Sequence, residues 1–408
     1  VEAVQGSSVW GDGQSLTITY FLGNTGDETG NGTGEADWSQ NEIASIQQAF
    51  EEISQFVDIE FVQVDSYENS NISLVLNDDA YSYGSSYGPS TLASLGTTHG
   101  DVRINHTLFD RWENGAMLGG QGYETLIHEL GHALGLGHTH DTSLGSLVLA
   151  GSGDGFGLGP DGLNDPVNTI MAYNDGWFAQ NSSHIDYGNR ATFGAWDIAA
   201  LQAMYGVNTT HAQDDDEYSL VTSNGAGAYY STIWDTGGVD TISAADAQGQ
   251  AVIDLRAATL DYNPQTSGGP VSYVHTASGQ MVYGGFTIAA GAVIENAVGG
   301  LGGDLLIGNS ADNLLSGGQG DDVFYLSETG LYQGSSGGLD TVLGGEGADK
   351  LVLDRDFSGY IFVELDGYLT LYYQGGRITV SQDVEVIDFS GSTLKTSNIL
   401  HHVSGLTM

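Results

Sequence analysis

The sequence predicts an α+β domain followed by an all-β domain. Three observations carry this. Helical periodicity is confined to the first half, and the texture changes to short β-like runs broken by Gly, Asp and Asn beyond Gly206. The second half also contains a nine-residue internal repeat. A length of 408 residues allows two or three domains and a sizeable core.

In chain order, residues 16–22 (LTITYFL) read as a strand, rich in β-branched and aromatic side chains. Residues 38–56 (WSQNEIASIQQAFEEISQF) read as a helix: Ile43, Ile46, Phe50 and Ile53 recur three or four apart behind a Ser39 N-cap. Residues 59–64, 71–76 and 101–105 read as strands, and residues 121–136 as a helix. A further helix spans residues 192–205 (TFGAWDIAALQAMY) and stops at Gly206 in the C′ role. The acidic stretch HAQDDDEY, residues 211–218, is a linker, so the domains are expected at 1–215 and 216–408.

Composition excludes some partners. There are 52 acidic residues against 8 basic ones, a formal net charge of -44. Nucleic acid and anionic membranes are poor partners, because both must be met by Lys and Arg. Two readings of the acid excess stay open: solubility, for instance in a saline habitat, and carboxylates that serve as calcium ligands. Cysteine is absent, so no disulfide staples the fold and no thiolate acts as ligand or nucleophile. That leaves the compartment open, since metal can hold a secreted fold together. No uninterrupted apolar run is long enough to span a bilayer, and no basic segment followed by an apolar one opens the chain. The 62 glycines beside 5 prolines argue against collagen and fit turn-rich β structure.

Residues 299–307 (GGLGGDLLI), 308–316 (GNSADNLLS) and 317–325 (GGQGDDVFY) are consecutive nonapeptides, and a fourth, GGEGADKLV, occupies 344–352. Glycines let the turn bend and aim its carbonyls at a cation. The sixth residue supplies a hard carboxylate oxygen, which suits calcium. The pattern resembles the calcium-binding repeat of RTX proteins. That resemblance implies a parallel β-roll with calcium between its turns. Its ligands would be the carboxylates of Asp304, Asp322 and Asp349, with backbone oxygens of Gly300, Gly302, Gly318 and Gly320. In the middle repeat Asn313 takes the sixth place, with carbonyls of Asn309 and Ala311. A Gly/Asp-rich surface loop, the plainer alternative, does not explain copies in register.

Residues 128–138 read HELGHALGLGH. On a helix His128 and His132, four apart, face one point, and Gly135 lets the chain turn so that His138 returns to it. This is the metzincin zinc motif, H-E-x-x-H-x-x-G-x-x-H. Three neutral imidazoles leave the charge of a zinc ion uncompensated, so it activates a water for attack on a carbonyl. Glu129, on the same helix, is placed to move the proton. Downstream, residues 169–173 (TIMAY) supply Met171. Alone it would read as core packing; after the zinc motif it reads as the Met-turn.

Taken together the chain resembles the serralysins, metzincins with a C-terminal RTX domain. The likeness runs through YETLIHELGHALGLGH (123–138), TIMAY, FGAWDIAALQAMYG (193–206), TIWDTGGVDTI (232–242) and VIENAVGG (293–300) into the repeats. It implies an α+β metzincin catalytic domain with a twisted mixed sheet and an active-site helix, then an all-β parallel β-roll with a β extension. It implies a zinc endopeptidase acting on extended protein or peptide substrates, with one zinc and several calcium ions. Tyr173 would reach the zinc as an extra ligand and stabilise the transition state. Asp235, Gly237, Gly238, Asp240 and Glu295 would bind calcium where the roll begins. The resemblance further implies a secreted, extracellular monomer, exported by a type I system, whose roll needs calcium to fold after export. A proteinaceous inhibitor is a further partner of that type.

There are departures. Thr139 stands where the family has Pro, and residues 141–167 form a long Gly-rich loop, either a calcium site or a rim. The family's Arg-x-Gly-x-Thr stretch is not evident in HAQDDDEYS, and the ending GLTM lacks the family's apolar tail. His140 is expected in solvent, and His99 and His106 as structural. Residues 90–96 (STLASLG) read either as an edge strand that pairs with substrate or as an ordinary one. The alternative function is a non-catalytic or narrowly specific RTX surface or processing protein. A non-catalytic chain would need a lesion among His128, Glu129, His132 or His138, and there is none.

Overall fold

The computed structural model describes residues 4–5, 10, 16–30, 32–78, 84–86, 100–106, 117–142, 146–153, 155–174, 186–326, 338–374 and 376–406. The chain divides into two units. One comprises Val1–His211, Asn224–Trp234 and Ala258–Gly269; the other comprises Ala212–Ser223, Asp235–Ala257 and Pro270–Met408.

The first unit is built on five strands: β1 (Leu16–Gly23), β2 (Ile59–Gln63), β3 (Ile72–Asn77), β4 (Gly84–Ser86) and β5 (Gly100–Asn105). Their order is β2-β1-β3-β5-β4. The first four run parallel, and β4 closes one edge antiparallel to β5. The central strand β3 is buried along its whole length, as a strand covered on both faces must be. Helix α1 (Gln40–Phe56) makes the crossover from β1 to β2. Its start is fixed by a capping box: Ser39 Oγ accepts from Glu42 N–H and Glu42 Oε2 accepts from Ser39 N–H. Ile46, Ala49, Phe50, Ile53 and Phe56 form its buried stripe.

Two further helices hold the site. Helix α2 (Gln121–Ala133) is shorter than the periodicity suggests, because Leu134 and Gly135 already turn the chain. Its last carbonyls are capped from elsewhere in the unit: Trp10 Nε1 donates to Ala133 O at 2.9 Å and Tyr205 Oη to Leu134 O at 2.5 Å. Helix α3 (Ala195–Tyr205) is buried nearly all round and ends at Gly206, φ 89°.

The second unit winds two sheets from alternate nonapeptides. One contains β6 (Glu217–Ser219), β7 (Thr241–Ser243), β10 (Asn296–Val298), β12 (Leu314–Gln319) and β14 (Gly338–Glu346), all parallel. The other contains β8 (Ala251–Asp254), β11 (Leu305–Ile307), β13 (Val323–Leu326) and β15 (Lys350–Leu353), parallel likewise, with β9 (Tyr273–Val274) antiparallel on β8. A nine-residue repeat carries the chain from one sheet to the other. Two repeats bring it back, so Leu305 pairs with Val323 and Asn296 with Leu314. The apolar eighth residue of each repeat points into the space between the sheets. Ile242, Ala297, Leu315, Val342 and Val380 stack in one sheet, and Ile253, Leu306, Phe324, Leu351 and Ile387 in the other, all fully buried.

Beyond residue 354 both sheets are extended and then finished. β16 (Ile361–Leu365), β17 (Tyr368–Tyr373) and β18 (Gly376–Val380) form an antiparallel meander whose β18 pairs parallel with β14. β19 (Val386–Phe389) pairs parallel with β15 and returns as a hairpin through β20 (Ser392–Lys395), followed by α4 (Thr396–Leu406).

The adjacent leucines of β12 test this register. Leu315 is fully buried and Leu314 is 38% exposed. Leu315→Ala is expected to cost about 2–5 kcal/mol, and Leu314→Ala about 0.5 kcal/mol or less. Urea unfolding in saturating calcium reads both; equal losses would mean that the strand faces are misassigned.

Candidate active site

His128 and His132 stand on α2 and His138 on the segment after Gly135. The φ of Gly135, 100°, lets the chain reverse there. The three Nε2 atoms converge: His138 Nε2 lies 3.2 Å from that of His128 and 2.9 Å from that of His132. Each Nδ1 faces an acceptor, Ile170 O at 2.8 Å for His128, Leu136 O at 2.8 Å for His132 and Asp141 Oδ2 at 2.9 Å for His138. Those acceptors fix the proton on Nδ1 and leave the Nε2 lone pairs facing one another. Burial pushes the three imidazoles down to about 3, 3 and 4, so all are neutral at pH 7. Three lone pairs at this separation repel unless a cation lies between them. Tetrahedral zinc with bonds of about 2.0–2.1 Å sets its ligand atoms roughly 3.3 Å apart, so the donor set fits.

Gly131 explains how the Met-turn comes so near. A Cβ there would meet Met171 Sδ at 3.0 Å and the Phe193 ring at 3.2 Å, so the missing side chain admits the fully buried Met171 beneath the histidines. Asp197, in the first turn of α3, clamps that turn. Its Oδ1 accepts from Thr169 Oγ1 at 2.6 Å, and its Oδ2 accepts from Ile170 N–H at 2.7 Å and Gly194 N–H at 2.8 Å.

Glu129 is 6% exposed, and burial pushes its carboxyl up to about 8. Tyr173 is 41% exposed, with its hydroxyl 3.0 Å from His138 Nε2. These groups line a cleft of about 590 Å³, bordered by the edge strand β4 and by Glu124, Pro166 and Ile170. Ser86 Oγ ties β4 to Glu129 O at 2.9 Å. Residues 90–96, the expected edge strand, and His99 lie outside the described residues.

The departures from the motif have local causes. Thr139 is fully buried and its hydroxyl bonds to Asn164 Oδ1, while Ser152 Oγ bonds to Thr139 O at 2.9 Å. These bonds pin the long loop to the motif where a proline would offer no hydroxyl. His140 is not in solvent as expected: its side chain is 11% exposed, stacked on His138 at 4.6 Å and against Tyr173 at 4.4 Å. Sequence reasoning also missed Asp141 and Asp197. Asp141 could have been sought as an acceptor three residues past His138; Asp197 leaves no signal, being 59 residues beyond His138.

Residues 18–149 match the matrixin model of the M10 peptidases, and residues 195–356 match the M10 serralysin C-terminal model. The chain belongs to the serralysin-type metzincins. It is 34% identical to serralysin of Proteus mirabilis over 208 residues, 48% of this chain and 38% of that protein. It is 30% identical to serralysin A of Dickeya chrysanthemi over 317 residues, 74% of this chain and 60% of that protein. The matches thus span roughly two to three fifths of these relatives' own length. Among solved structures, that of myroilysin is similar at 19% identity over 50% of this chain and 98% of that one, with a TM-score of 0.32 too low to bear on the fold.

In the serralysin-type roll, two ladders of acidic side chains run beside the sheets. In one, Ala251 N–H donates to Asp304, Asp304 N–H to Asp322, Asp322 N–H to Asp349 and Asp349 N–H to Glu385, at 2.6–2.9 Å. In the other, Asp216 N–H donates to Asp240, Asp240 N–H to Glu295 and Asn313 N–H to Asp340. Each of Asp240, Asp322, Asp340 and Asp349 spends Oδ1 on this bond and leaves a buried Oδ2 without a hydrogen-bond partner. The glycines shape the space beside them. A Cβ at Gly318 or Gly320, both with φ above 100°, would strike the carbonyl of Gly300 or Gly302. Residues at Gly345 and Gly347 would likewise strike Gly318 O and Gly320 O. Orphaned carboxylate oxygens beside glycine-lined carbonyls are an oxygen donor set that fits calcium.

The middle repeat differs. Asn313 Oδ1 accepts from Asn309 N–H, and its amide nitrogen donates to Glu295 O and Asn309 Oδ1. The carbonyl of Ala311 faces Gly338. Where the roll begins, Asp216, Asp235 and Asp240 bring carboxylate oxygens within 4.8 Å of one another, and Gly237 N–H donates to Asp235. A Cβ at Gly238 would strike Asp214 O. Asp216 and Asp340 were missed in the sequence. Asp340 lies nine residues before Asp349, in a stretch (SSGGLDTVL) that lacks the leading glycine pair.

Burial pushes the carboxyls of Asp240, Asp304 and Asp349 up to about 6, Asp340 to about 7 and Asp322 to about 8, where Asp304 and Asp349 also repel it. The folded chain therefore holds these protons more tightly than the unfolded chain, in which Asp titrates near 3.9. Stability from a raised carboxyl is full below the unfolded value and lost as pH rises through the folded one. In chelator, the melting temperature of the roll is expected to fall between pH 6 and 8, and to fall less in Asp322→Asn. Circular dichroism melts read this; an identical pH slope in the variant would refute the assignment.

Proposed function

We propose that this protein is a secreted zinc endopeptidase that cleaves extended polypeptide. The supporting observation is the convergence of three neutral imidazole lone pairs beside a buried glutamate in an open cleft. His128, His132 and His138 would hold the zinc, and the Tyr173 hydroxyl, 3.0 Å from His138 Nε2, would be within reach of it as a further ligand. When bound, zinc supplies a Lewis acid that brings the pKa of a water to about 7.

The remaining work falls to side chains. Glu129, made more basic by burial, takes the proton as the water oxygen attacks the amide carbon, and returns it to the nitrogen as the C–N bond breaks. The half-exposed ring of Tyr173 turns from His138 and gives its O–H to the developing oxyanion. The edge of β4, which among the described residues pairs with β5 alone, receives the substrate backbone as an added strand. Met171, Asp197 and Asp141 position the imidazoles without touching substrate.

The second unit, Ala212–Ser223, Asp235–Ala257 and Pro270–Met408, serves as a calcium roll. Asp304, Asp322, Asp340 and Asp349, with carbonyls of Gly300, Gly302, Gly318 and Gly320, hold ions between turns. Asp216, Asp235, Asp240 and Glu295, with the turn at Gly237 and Gly238, hold calcium where the roll begins. Asn313, Asn309 and Ala311 complete the middle turn. Such a roll stays open at cytosolic calcium and closes outside the cell, which suits an exported chain.

The purified, zinc- and calcium-loaded chain is expected to hydrolyse casein. Glu129→Ala should lose about 10²–10⁴-fold with zinc content unchanged, and Tyr173→Phe about 10²-fold. Equal cleavage by wild type and Glu129→Ala would remove the assignment. At pH 8 and above, where the ladder carboxyls have lost their protons, calcium chelation is expected to abolish most of the β-type circular dichroism signal of the roll; an unaltered spectrum there would exclude calcium-dependent folding.

A further inference from the structure

We infer that Asn164, together with Thr139, is a positioning residue for Tyr173: it ties together the segments that seat the phenol ring beside the histidines. The inference rests on the peptidase reading and adds to it the residues that aim one of its groups.

Asn164 is fully buried, and its polar groups are shared among those segments. Its Oδ1 accepts from the hydroxyl of Thr139, the residue after His138. Its Nδ2 donates to Gly157 O at 2.7 Å and to Gly155 O at 3.4 Å. Its backbone N–H donates to Leu158 O at 2.8 Å. Its backbone O accepts from Nδ2 of Asn174, the residue after Tyr173, at 2.6 Å. Both ends of the side-chain amide are thus in use. Asp, of the same shape, has no donor for the glycine carbonyls, and Leu has neither donor nor acceptor.

The segments meet around one ring. The Tyr173 ring lies 4.7 Å from that of His138 and 4.4 Å from that of His140, which is itself stacked on His138. Gly155, with φ 81°, comes so near that a Cβ there would stand 2.8 Å from Tyr173 Cδ2 and 3.4 Å from His140 Nε2. That glycine is held in turn: its N–H donates to Ser152 O at 2.8 Å, and Ser152 Oγ donates to Thr139 O at 2.9 Å. A half-exposed tyrosine left to itself samples several rotamers. Here the neighbouring Asn174 is bonded to Asn164 and the ring is backed by Gly155, so the hydroxyl stays 3.0 Å from His138 Nε2. Misplacing a catalytic group by about 1 Å can cost about 10²-fold in rate. Thr139, in the place of the family's proline, thereby has a role: its hydroxyl keys the loop that carries Gly155 to the zinc motif.

The test uses the full, zinc- and calcium-loaded chain. Thr139→Val removes the hydroxyl at nearly constant shape, and Asn174→Ala cuts the network at a residue that is not fully buried. Each is expected to lower kcat on casein-derived peptides about tenfold, with KM and zinc content unchanged. Thr139→Ser, which keeps the hydroxyl, should retain kcat. In a Tyr173→Phe chain the same substitutions should change kcat by about twofold or less, because the group they aim is gone. Should Thr139→Val fail to fold, Asn174→Ala carries the comparison. A second reading needs no turnover. With 13C-labelled tyrosine, the resonance missing from Tyr173→Phe identifies the ring. Packed against imidazoles, it should differ in shift from an exposed tyrosine, move towards that value in Thr139→Val and Asn174→Ala, and stay in place in Thr139→Ser. Equal losses of kcat with and without the Tyr173 hydroxyl, or an unmoved resonance, overturn the inference and leave the peptidase reading intact. If wild type cleaves no peptide and no casein, the peptidase reading fails, and the resonance alone decides whether the Asn164 network seats Tyr173.

Discussion

Donor groups brought together without a counter-charge are the constraint on which both units depend. In the first unit three Nε2 lone pairs lie 2.9–3.2 Å apart around His138, each fixed in place by an acceptor on its Nδ1. In the second, carboxylates follow one another up two ladders through backbone N–H groups, with Asn313 standing between Glu295 and Asp340 in one of them. Two unit charges about 5 Å apart at an effective dielectric of about 20 repel by roughly 3 kcal/mol. Each arrangement calls for a cation at its centre. The soft, neutral imidazoles suit zinc, and the hard oxygens with glycine-lined carbonyls suit calcium.

The site depends on one helix being held from three sides. Gly131 admits Met171 beneath the imidazoles, and Asp197 fixes the Met-turn through three hydrogen bonds. Trp10 and Tyr205 hold the carbonyl end of α2 just before the Gly135 turn that returns His138. These partners come from residues 10 to 205, so the local zinc motif is rigid only because the whole unit packs around it. A polar group such as Asp197 at full burial is tolerated because its carboxylate accepts three donors.

What could be read in the sequence was local or periodic. The zinc motif is contiguous along one helix and one turn, Ser39 announces α1 as its N-cap, and the sixth-position acids Asp304, Asp322 and Asp349 announce one ladder of the roll. What could not be read depends on returns of the chain. β4 is three small residues, Gly84–Ser86, whose strand character comes from pairing with β5 rather than from propensity. His140 looks like a loop residue until Tyr173 and His138 close over it. Asp340 was hidden because its stretch lacks the leading glycine pair, yet its carboxylate accepts a backbone N–H, that of Asn313, as the sixth-position acids do. The partners of residues 354–406 followed from no motif, since antiparallel hairpins there replace the repeat.

The two readings of the acid excess concern different residues. The ladders contain eight carboxylates: Asp216, Asp240, Glu295 and Asp340 in one, Asp304, Asp322, Asp349 and Glu385 in the other. That is eight of the 52 acidic residues, so metal binding in the ladders cannot account for the overall charge. The exposed majority serves solvation, and simple salt screens it beyond about 10 Å at 0.1 M. The ladder carboxylates are different. They repel across a few ångströms of protein, where mobile ions do not enter, so monovalent salt cannot do there what a bound divalent cation does. On the proposed function, high salt and calcium would therefore act on separate sets of carboxylates in this chain, one relieving long-range repulsion over the surface and the other closing the turns of the roll.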